Sequence, residues 1–314
     1  MIRSHFTRRE FLGATTAAVM TARGLAASID KSGEMTLGFS TYGTQGLTTE
    51  ASLDALARIG FDSVELAVLG GWDADPVKLS ADRRRDIRKR LRDLGLRLTS
   101  LMENVPPTSD EKKHGSQLER LKAAAGLAHD LCPDRPPLIE TVLGGKVWEM
   151  SKALFIRRLP EWVKIADADS IVIAIKPHRG SALSRPEEAV ELLKELGNPP
   201  RLRLDYDYSH FAMRDMPMDQ TIRTSLPWTA FVSVKDVAIE NGREVFKLPG
   251  ETGTIDYPAM LRQLYAGGYR GDVNCEVSSQ IAKTPGYDGI AAAKTCYANL
   301  SAAFKSADVP RPRR

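Results

Sequence analysis

The feature that most constrains this chain is a recurring phrase: a short β-branched or apolar run that stops abruptly on lysine, histidine or carboxylate. It occurs at residues 171–179 (IVIAIKPHR), 203–210 (RLDYDYSH), 231–236 (FVSVKD) and 273–277 (VNCEV). A buried parallel strand reads this way, because its faces are covered until it emerges from the sheet. Charge repeated at the same end of successive strands predicts one polar site assembled from several of them, as at the mouth of an α/β barrel.

The rest of the chain alternates in the same manner. Strands are expected at 35–40, 63–67, 98–105, 138–143, 171–176, 202–207, 231–236 and 273–277. Between them lie helical stripes. Leu53, Leu56 and Ile59 share a face that Gly60 terminates, and Ser80 caps a helix lined by Ile87, Leu91 and Leu94. The arginines of that helix read as the solvated outer face of a barrel helix rather than as a contact for an anionic partner. Further helices are expected at 109–131, with His114 and His129 at its surface, and at 148–168, which Pro160 should kink or divide. Others fall at 186–196, 217–225, 257–265 and 289–305, and 247–256 (KLPGETGTID) reads as a hairpin-like loop. Eight strands, each followed by a helix, over about 270 residues predict a (β/α)8 TIM barrel. A doubly wound open sheet is the competing fold, but no GxGxxG or P-loop supports nucleotide binding.

The leader differs from the remainder. The 44 lysines and arginines against 40 acidic residues look mildly basic; without the first 27 residues, which hold Arg3, Arg8, Arg9, Arg23 and Glu10, the balance is 40 to 39. Nothing electrostatic therefore points to nucleic acid. Arg8-Arg9-Glu10-Phe11-Leu12, an apolar run over 13–22 and the small residues Ala26-Ala27 resemble a twin-arginine export signal. The run is too short for stable membrane insertion, which needs about 20 residues. The resemblance implies engagement with the twin-arginine translocation machinery and a periplasmic or extracytoplasmic location. Residues 1–27 would be signal, 28–308 the barrel domain and 309–314 a loose tail. Cys132, Cys275 and Cys296 form no CxxC pattern, so buried thiols are expected rather than disulfides.

The strand ends supply Glu103, Glu140, Lys176, His178, Asp207, His210, Lys235, Asp236 and Glu276. Asp207 and Glu276 are the best pair to share a divalent cation, since hard cations take oxygen ligands. Lysine and histidine nearby can polarise a carbonyl or move a proton. The competing reading is structural, with both carboxylates merely salt-bridged to Lys176 and Lys235. Asp205 shares the face of Asp207 one layer deeper, and for it and Glu65 the structural role is expected.

The chain resembles the xylose isomerase-like barrels, the sugar phosphate isomerase/epimerase superfamily that includes ketose 3-epimerases, inosose dehydratases and endonuclease IV. The likeness is carried by GFDSVEL (60–66), D-x-x-H (Asp207, His210), V-K-D (234–236), LPGETGTIDY (248–257) and VNCEV. In the metal-dependent epimerases the ligands are glutamate, aspartate, histidine and glutamate. The resemblance puts the aspartate on Asp207 and the last glutamate on Glu276. The other two positions fall on Lys176, in a K-P-H phrase, and on Ser233. Either a site for manganese, magnesium or zinc is rebuilt from Asp207 and Glu276 with Glu140 or His178, or lysines replace the metal. A lysine of lowered pKa, acting as base or Schiff-base former, is a further option.

The expected function is an isomerase or epimerase that removes a proton next to a carbonyl of a carbohydrate, through an enediolate stabilised by metal or lysine. Glu276 would be base or ligand, Lys176 and Lys235 charge stabilisers, and His210 a hydroxyl contact or proton donor. Glu140, His178, Arg179 and Asp236 would bind substrate. A lyase with the same site and a non-catalytic carbohydrate-binding barrel are the alternatives. An endonuclease IV-like phosphodiesterase fits poorly, because its multi-zinc chemistry needs more histidine than His178 and His210.

Overall fold

A computed structural model describes residues 33–312; the leader expected at 1–27 lies outside them. Eight parallel strands close into a barrel: β1 (Thr36–Ser40), β2 (Ser63–Ala67), β3 (Arg97–Met102), β4 (Leu138–Thr141), β5 (Ile173–Ile175), β6 (Leu202–Tyr206), β7 (Thr229–Val234) and β10 (Asp272–Cys275). Closure comes from β1 pairing with β10, Thr36 opposite Asp272 and Phe39 opposite Cys275. The barrel is closed, so the open-sheet alternative does not apply.

The helices start and stop where local chemistry dictates. Helix α1 (Thr49–Ile59) is capped by Thr48, whose hydroxyl accepts from the Ala51 N–H. It ends at Gly60, whose φ of 113° favours glycine, and a Cβ there would meet the Tyr297 hydroxyl at 2.7 Å. Helix α2 (Ala81–Asp93) is capped by Ser80, and its arginines pair with neighbours: Arg83 with Glu50, Arg84 with Asp130, Arg90 with Asp54. Helix α3 (Glu111–Leu131) is capped by Asp110. Helix α4 (Trp148–Ala168) runs unbroken through Pro160. That proline is solvent-exposed, so water can take the carbonyl its missing N–H leaves free. Helices α5 (Pro186–Glu195), α6 (Met218–Ser225), α7 (Tyr257–Ala266), α8 (Ser279–Ala282) and α9 (Gly289–Ala307) complete the shell.

Three expectations need correction. The hairpin is not at 247–256. It is formed by β8 (Asp236–Glu240) and β9 (Arg243–Lys247), joined at Asn241-Gly242 with φ of 50° and 73°. Positive φ at both central residues is the signature of a tight type I′ turn. His114 is buried against α4, its Nε2 2.9 Å from Glu161 Oε1, and His129 is half-buried with its Nε2 2.6 Å from the Asp169 carbonyl oxygen. The tail is held as far as Arg311: the Met35 N–H donates to the Pro310 carbonyl, Val309 is buried, and Arg311 pairs with Asp62 at 2.8 Å.

Strand alternation decides what faces where. Ile173 and Ile175, Leu202, Leu204 and Tyr206, and Val273 and Cys275 point outward into the two apolar layers between strands and helices. The alternate residues point into the barrel, and there they are polar: Glu65, Ser100, Glu140, Asp205, Ser233 and Asn274 are all buried. Register shifts next to Glu65 and Asp205 re-aim these carboxylates within the barrel. Cys132, Cys275 and Cys296 are free thiols. Among the described residues no helix is long and apolar enough to cross a membrane.

Candidate active site at the C-terminal mouth of the barrel

The strand ends of β5, β6, β7 and β10 bring Lys176, Asp207, Lys235 and Glu276 to one point, although up to 100 residues separate the partners. Lys176 Nζ lies 2.5 Å from Glu276 Oε2, 3.2 Å from Asp205 Oδ2 and 3.3 Å from Glu140 Oε1. Lys235 Nζ lies 2.5 Å from Asp207 Oδ2 and 3.1 Å from the same Glu276 Oε2. One carboxylate oxygen is thus shared between two ammonium groups. The Glu276 side chain remains 15% exposed, whereas those of Lys176, Lys235 and Asp207 are essentially buried.

This arrangement splits the carboxyl groups into two kinds. Burial raises the pKa of Glu276, but Lys176 and Lys235 outweigh it and hold the group near 2. Asp207 is likewise kept below its ordinary value against the cost of burial, by Lys235 and Lys176; Ser209 donates to it from backbone and hydroxyl. Deeper in the barrel the balance reverses. Burial pushes Glu140 well above the usual carboxylate range and raises Asp205, each only partly offset by Lys176. Glu65, hydrogen-bonded by Asn274, is raised to about 7, again by burial. Such separation marks a site able to hold an acid and a base together. Burial also opposes the charge on Lys176, but the pull of Glu140, Glu276, Asp205 and Asp207 prevails and its pKa lies well above normal. A lowered-pKa lysine, one of the sequence-based options, is therefore not what the barrel holds at Lys176.

Burial disfavours the charged form of both histidines at the mouth. Burial, with Lys235 and Lys176, lowers His178 to about 4, and burial lowers His210 well below its ordinary value. Their rings sit 4.1 Å apart. His210 is 1% exposed, and neither ring nitrogen has a hydrogen-bond partner among the described residues. The 3.4 Å approach of its Nε2 to Asp207 Oδ2 lacks hydrogen-bond geometry. Two orphaned buried nitrogens beside a charged mouth are what a ligand hydroxyl would satisfy.

The hairpin β8–β9 forms one wall. Phe246 packs edge-on against His210, and Arg179 stacks on its face at 3.8 Å while pairing with Glu244. On another side Tyr42 stacks on Trp72 at 5.1 Å; its hydroxyl pKa is raised by burial and by the charge of Glu276. Tyr42, Trp72, Glu244 and Phe246 were not legible as site residues. The one available signal was Asn241-Gly242, which marks the hairpin that presents Glu244 and Phe246.

Two strand-end carboxylates stand apart from this point. Asp236 braces the base of the hairpin, accepting from the N–H groups of Val237 and Thr252. Glu103 is tied to Arg120, which also reaches Asp75. A cavity of about 550 Å³ opens at the opposite end of the barrel, beside Arg201, Arg203, Arg270 and Asp272. It lacks the convergence of acid, base and cation seen at the mouth, so we place the chemistry at the mouth.

A parallel eight-stranded barrel with a polar mouth at its carboxyl ends defines an α/β-barrel protein. The profile of the xylose isomerase-like TIM barrel family matches residues 53–296, and the chain belongs to that family. A human protein named "Putative hydroxypyruvate isomerase" is 26% identical over 247 residues, covering 72% of this chain and 82% of its own. In fold, the chain is similar to a zinc-bound crystal structure of the IolI protein (TM-score 0.69, 19% identity, 87% of this chain and 99% of that one). It is equally similar to D-psicose 3-epimerase with D-tagatose from Clostridium cellulolyticum H10 (TM-score 0.69, 15% identity, 87% and 99%). The curated relative thus carries an isomerase name and the second of these structures an epimerase name.

Solved neighbours hold zinc or magnesium, and this chain's donor set can be compared with what such an ion needs. Among the described residues no group of three or more histidine, cysteine or acidic side chains is arranged to hold a metal ion. At least one oxygen of each of Glu276, Asp207 and Asp205 already faces a donor. Glu276 Oε2 faces both ammonium groups, Asp207 Oδ2 faces Lys235, and Asp205 Oδ2 faces Lys176 and the Ser233 hydroxyl. An ammonium about 4 Å from a dication opposes it by on the order of 8 kcal/mol at an effective dielectric near 20. The residues present do not fit a metal ion.

Proposed function

We propose that this protein is an exported isomerase or epimerase that moves a proton next to a carbonyl on a small sugar or sugar derivative. The observation that carries the reading is the single oxygen of Glu276 held between two ammonium groups. An anionic oxygen is stable at that spot. A substrate carbonyl oxygen entering there displaces Glu276 from Lys176 and Lys235. The displaced carboxylate loses the charges that depress its pKa and becomes a stronger base beside the substrate.

Glu276 then takes the proton from the carbon next to the carbonyl. The C–H electron pair forms the new C=C bond, and the carbonyl π pair moves to oxygen, where the two ammonium groups stabilise the enediolate. Protonation of the former carbonyl carbon by Glu276, with the α-hydroxyl proton passing to the former carbonyl oxygen, isomerises the substrate, and protonation of the original carbon by water on its opposite face epimerises it. Expulsion of a β-hydroxyl as water would instead make the enzyme a lyase. His210 meets a substrate hydroxyl with its unpartnered nitrogens, and Tyr42, Trp72 and Phe246 offer apolar faces to the sugar carbons. His178 and Arg179 border the same opening. Export is supported by the paired arginines, Phe11 and the small residues of the leader; a mature protein confined to the cytoplasm in cell fractionation would contradict it.

The test is turnover of a panel containing hydroxypyruvate, D-tagatose and other keto-sugars, by wild type and by Glu276→Gln. Loss of turnover in a variant of unchanged circular dichroism supports the assignment, and full activity removes it. The completeness of the ion pairing also suits a second reading, a carbohydrate-binding barrel without catalysis. Saturable binding of a panel sugar with no turnover by wild type would favour that reading.

A further inference from the structure

We infer that Lys176 and Lys235 together stand in for a divalent metal, so that the mouth is a metal-independent two-ammonium site. The catalytic half of this inference rests on the proton-transfer reading; the metal half stands on geometry alone. Both ammonium groups converge on Glu276 Oε2, at 2.5 and 3.1 Å. Each also grips a second carboxylate, Asp205 at 3.2 Å and Asp207 at 2.5 Å. A cation coordinated by oxygens from β6 and β10 would draw those same carboxylates inward. The two lysines do so with fixed charges delivered by β5 and β7.

Ser233 completes the exchange. The hydroxyl and N–H of Ser233 both donate to Asp205, so the residue serves as a clip for that buried carboxylate rather than as a ligand. Its neighbour in register, Asn274, points to Glu65. Ammonium, amide and hydroxyl hydrogens thus face Asp205, Asp207 and Glu276 around the mouth. Such a site selects a ligand bearing an oxyanion and rejects a free dication.

Metal content decides the matter independently of turnover. The mature protein, loaded with manganese or zinc and passed through gel filtration, should carry well under about 0.1 equivalent by inductively coupled plasma mass spectrometry. The double variant Lys176→Glu/Ser233→His, which restores two donors beside Asp207 and Glu276, should retain about one equivalent. Retention of about one equivalent by wild type overturns the inference. Should the double variant not fold, Lys176→Gln provides the same contrast. Removing one ammonium should tighten manganese binding at least about tenfold in calorimetric titration, and unchanged affinity contradicts the proposal. If turnover is found, it should survive EDTA undiminished, and its loss with recovery on added manganese would refute metal independence. If no panel compound turns over, the function reading fails while the metal measurements still stand or fall by themselves.

Discussion

Buried Asp272 at one end of the barrel, and buried Asp207 and largely buried Glu276 at the other, are carboxylates held in opposite ways. At the floor, Asp272 is held by neutral donors: the Thr36 hydroxyl at 2.6 Å, that of Thr99 at 2.9 Å, and that of Ser63. They fit because position 38 is glycine, where a Cβ would stand 2.6 Å from the Asp272 oxygen. At the mouth, Asp207 and Glu276 are held by ammonium groups. Burial raises Asp272 to about 6, whereas Lys176 and Lys235 outweigh burial and hold Glu276 near 2. Hydroxyl groups satisfy hydrogen bonds without balancing charge; ammonium groups do both. Asp272 is therefore placed for packing, and Glu276 for handling charge.

The largest effect expected of this difference is catalytic. Glu276→Gln should lower turnover roughly a thousandfold, within the range for loss of a general base, while Asp272→Asn should leave it within about twofold. A comparable loss from both variants would erase the distinction. Next comes stability: Lys235→Met leaves Asp207 and Glu276 short of a buried partner and should cost about 3–5 kcal/mol in urea unfolding.

The pH dependence should run in opposite directions at the two ends. Asp272 has a folded pKa of about 6 against 3.8 for the free group. Its contribution is therefore fully present below about pH 4 and is lost as pH rises through 6, a swing on the order of 3 kcal/mol. Glu276, lowered from 4.5 to about 2, contributes stability above about pH 4.5 that is lost as pH falls through 2. Unfolding of Asp272→Asn across pH 4 to 7 should lack the decline that wild type shows; identical curves would contradict the floor assignment. The smallest effect concerns the walls. Phe246→Ala or Tyr42→Ala should raise KM about three- to tenfold with kcat nearly unchanged, matching the loss of one aromatic contact.

The barrel was legible because its strands end in charge at regular intervals, and the convergence of Lys176, Asp207, Lys235 and Glu276 follows from that topology. Other features were masked by stronger local signals. The turn-rich stretch after Lys247 drew the hairpin away from Asn241-Gly242, although only the latter has positive φ at two successive residues. His114 was expected at the surface because its helix is strongly polar around it, yet it lies on the stripe that meets α4. The small inward residues Ser63, Ser100 and Asn274 carry no pattern of their own. Their roles depend on neighbours brought in by barrel closure. The opposite pKa shifts of Glu140 and Glu276 are also invisible in sequence, since both residues contact Lys176 and differ in burial and in the second ammonium group.

The central claim is that two ammonium groups, with Glu276 as base, labilise a proton next to a carbonyl. Its most direct test is deuterium wash-in, followed by proton NMR on the substrate panel in D2O with EDTA present. The signal from the carbon-bound hydrogen should be lost with wild type and retained with Glu276→Gln. Exchange that requires added metal, or that proceeds equally in the variant, would contradict it.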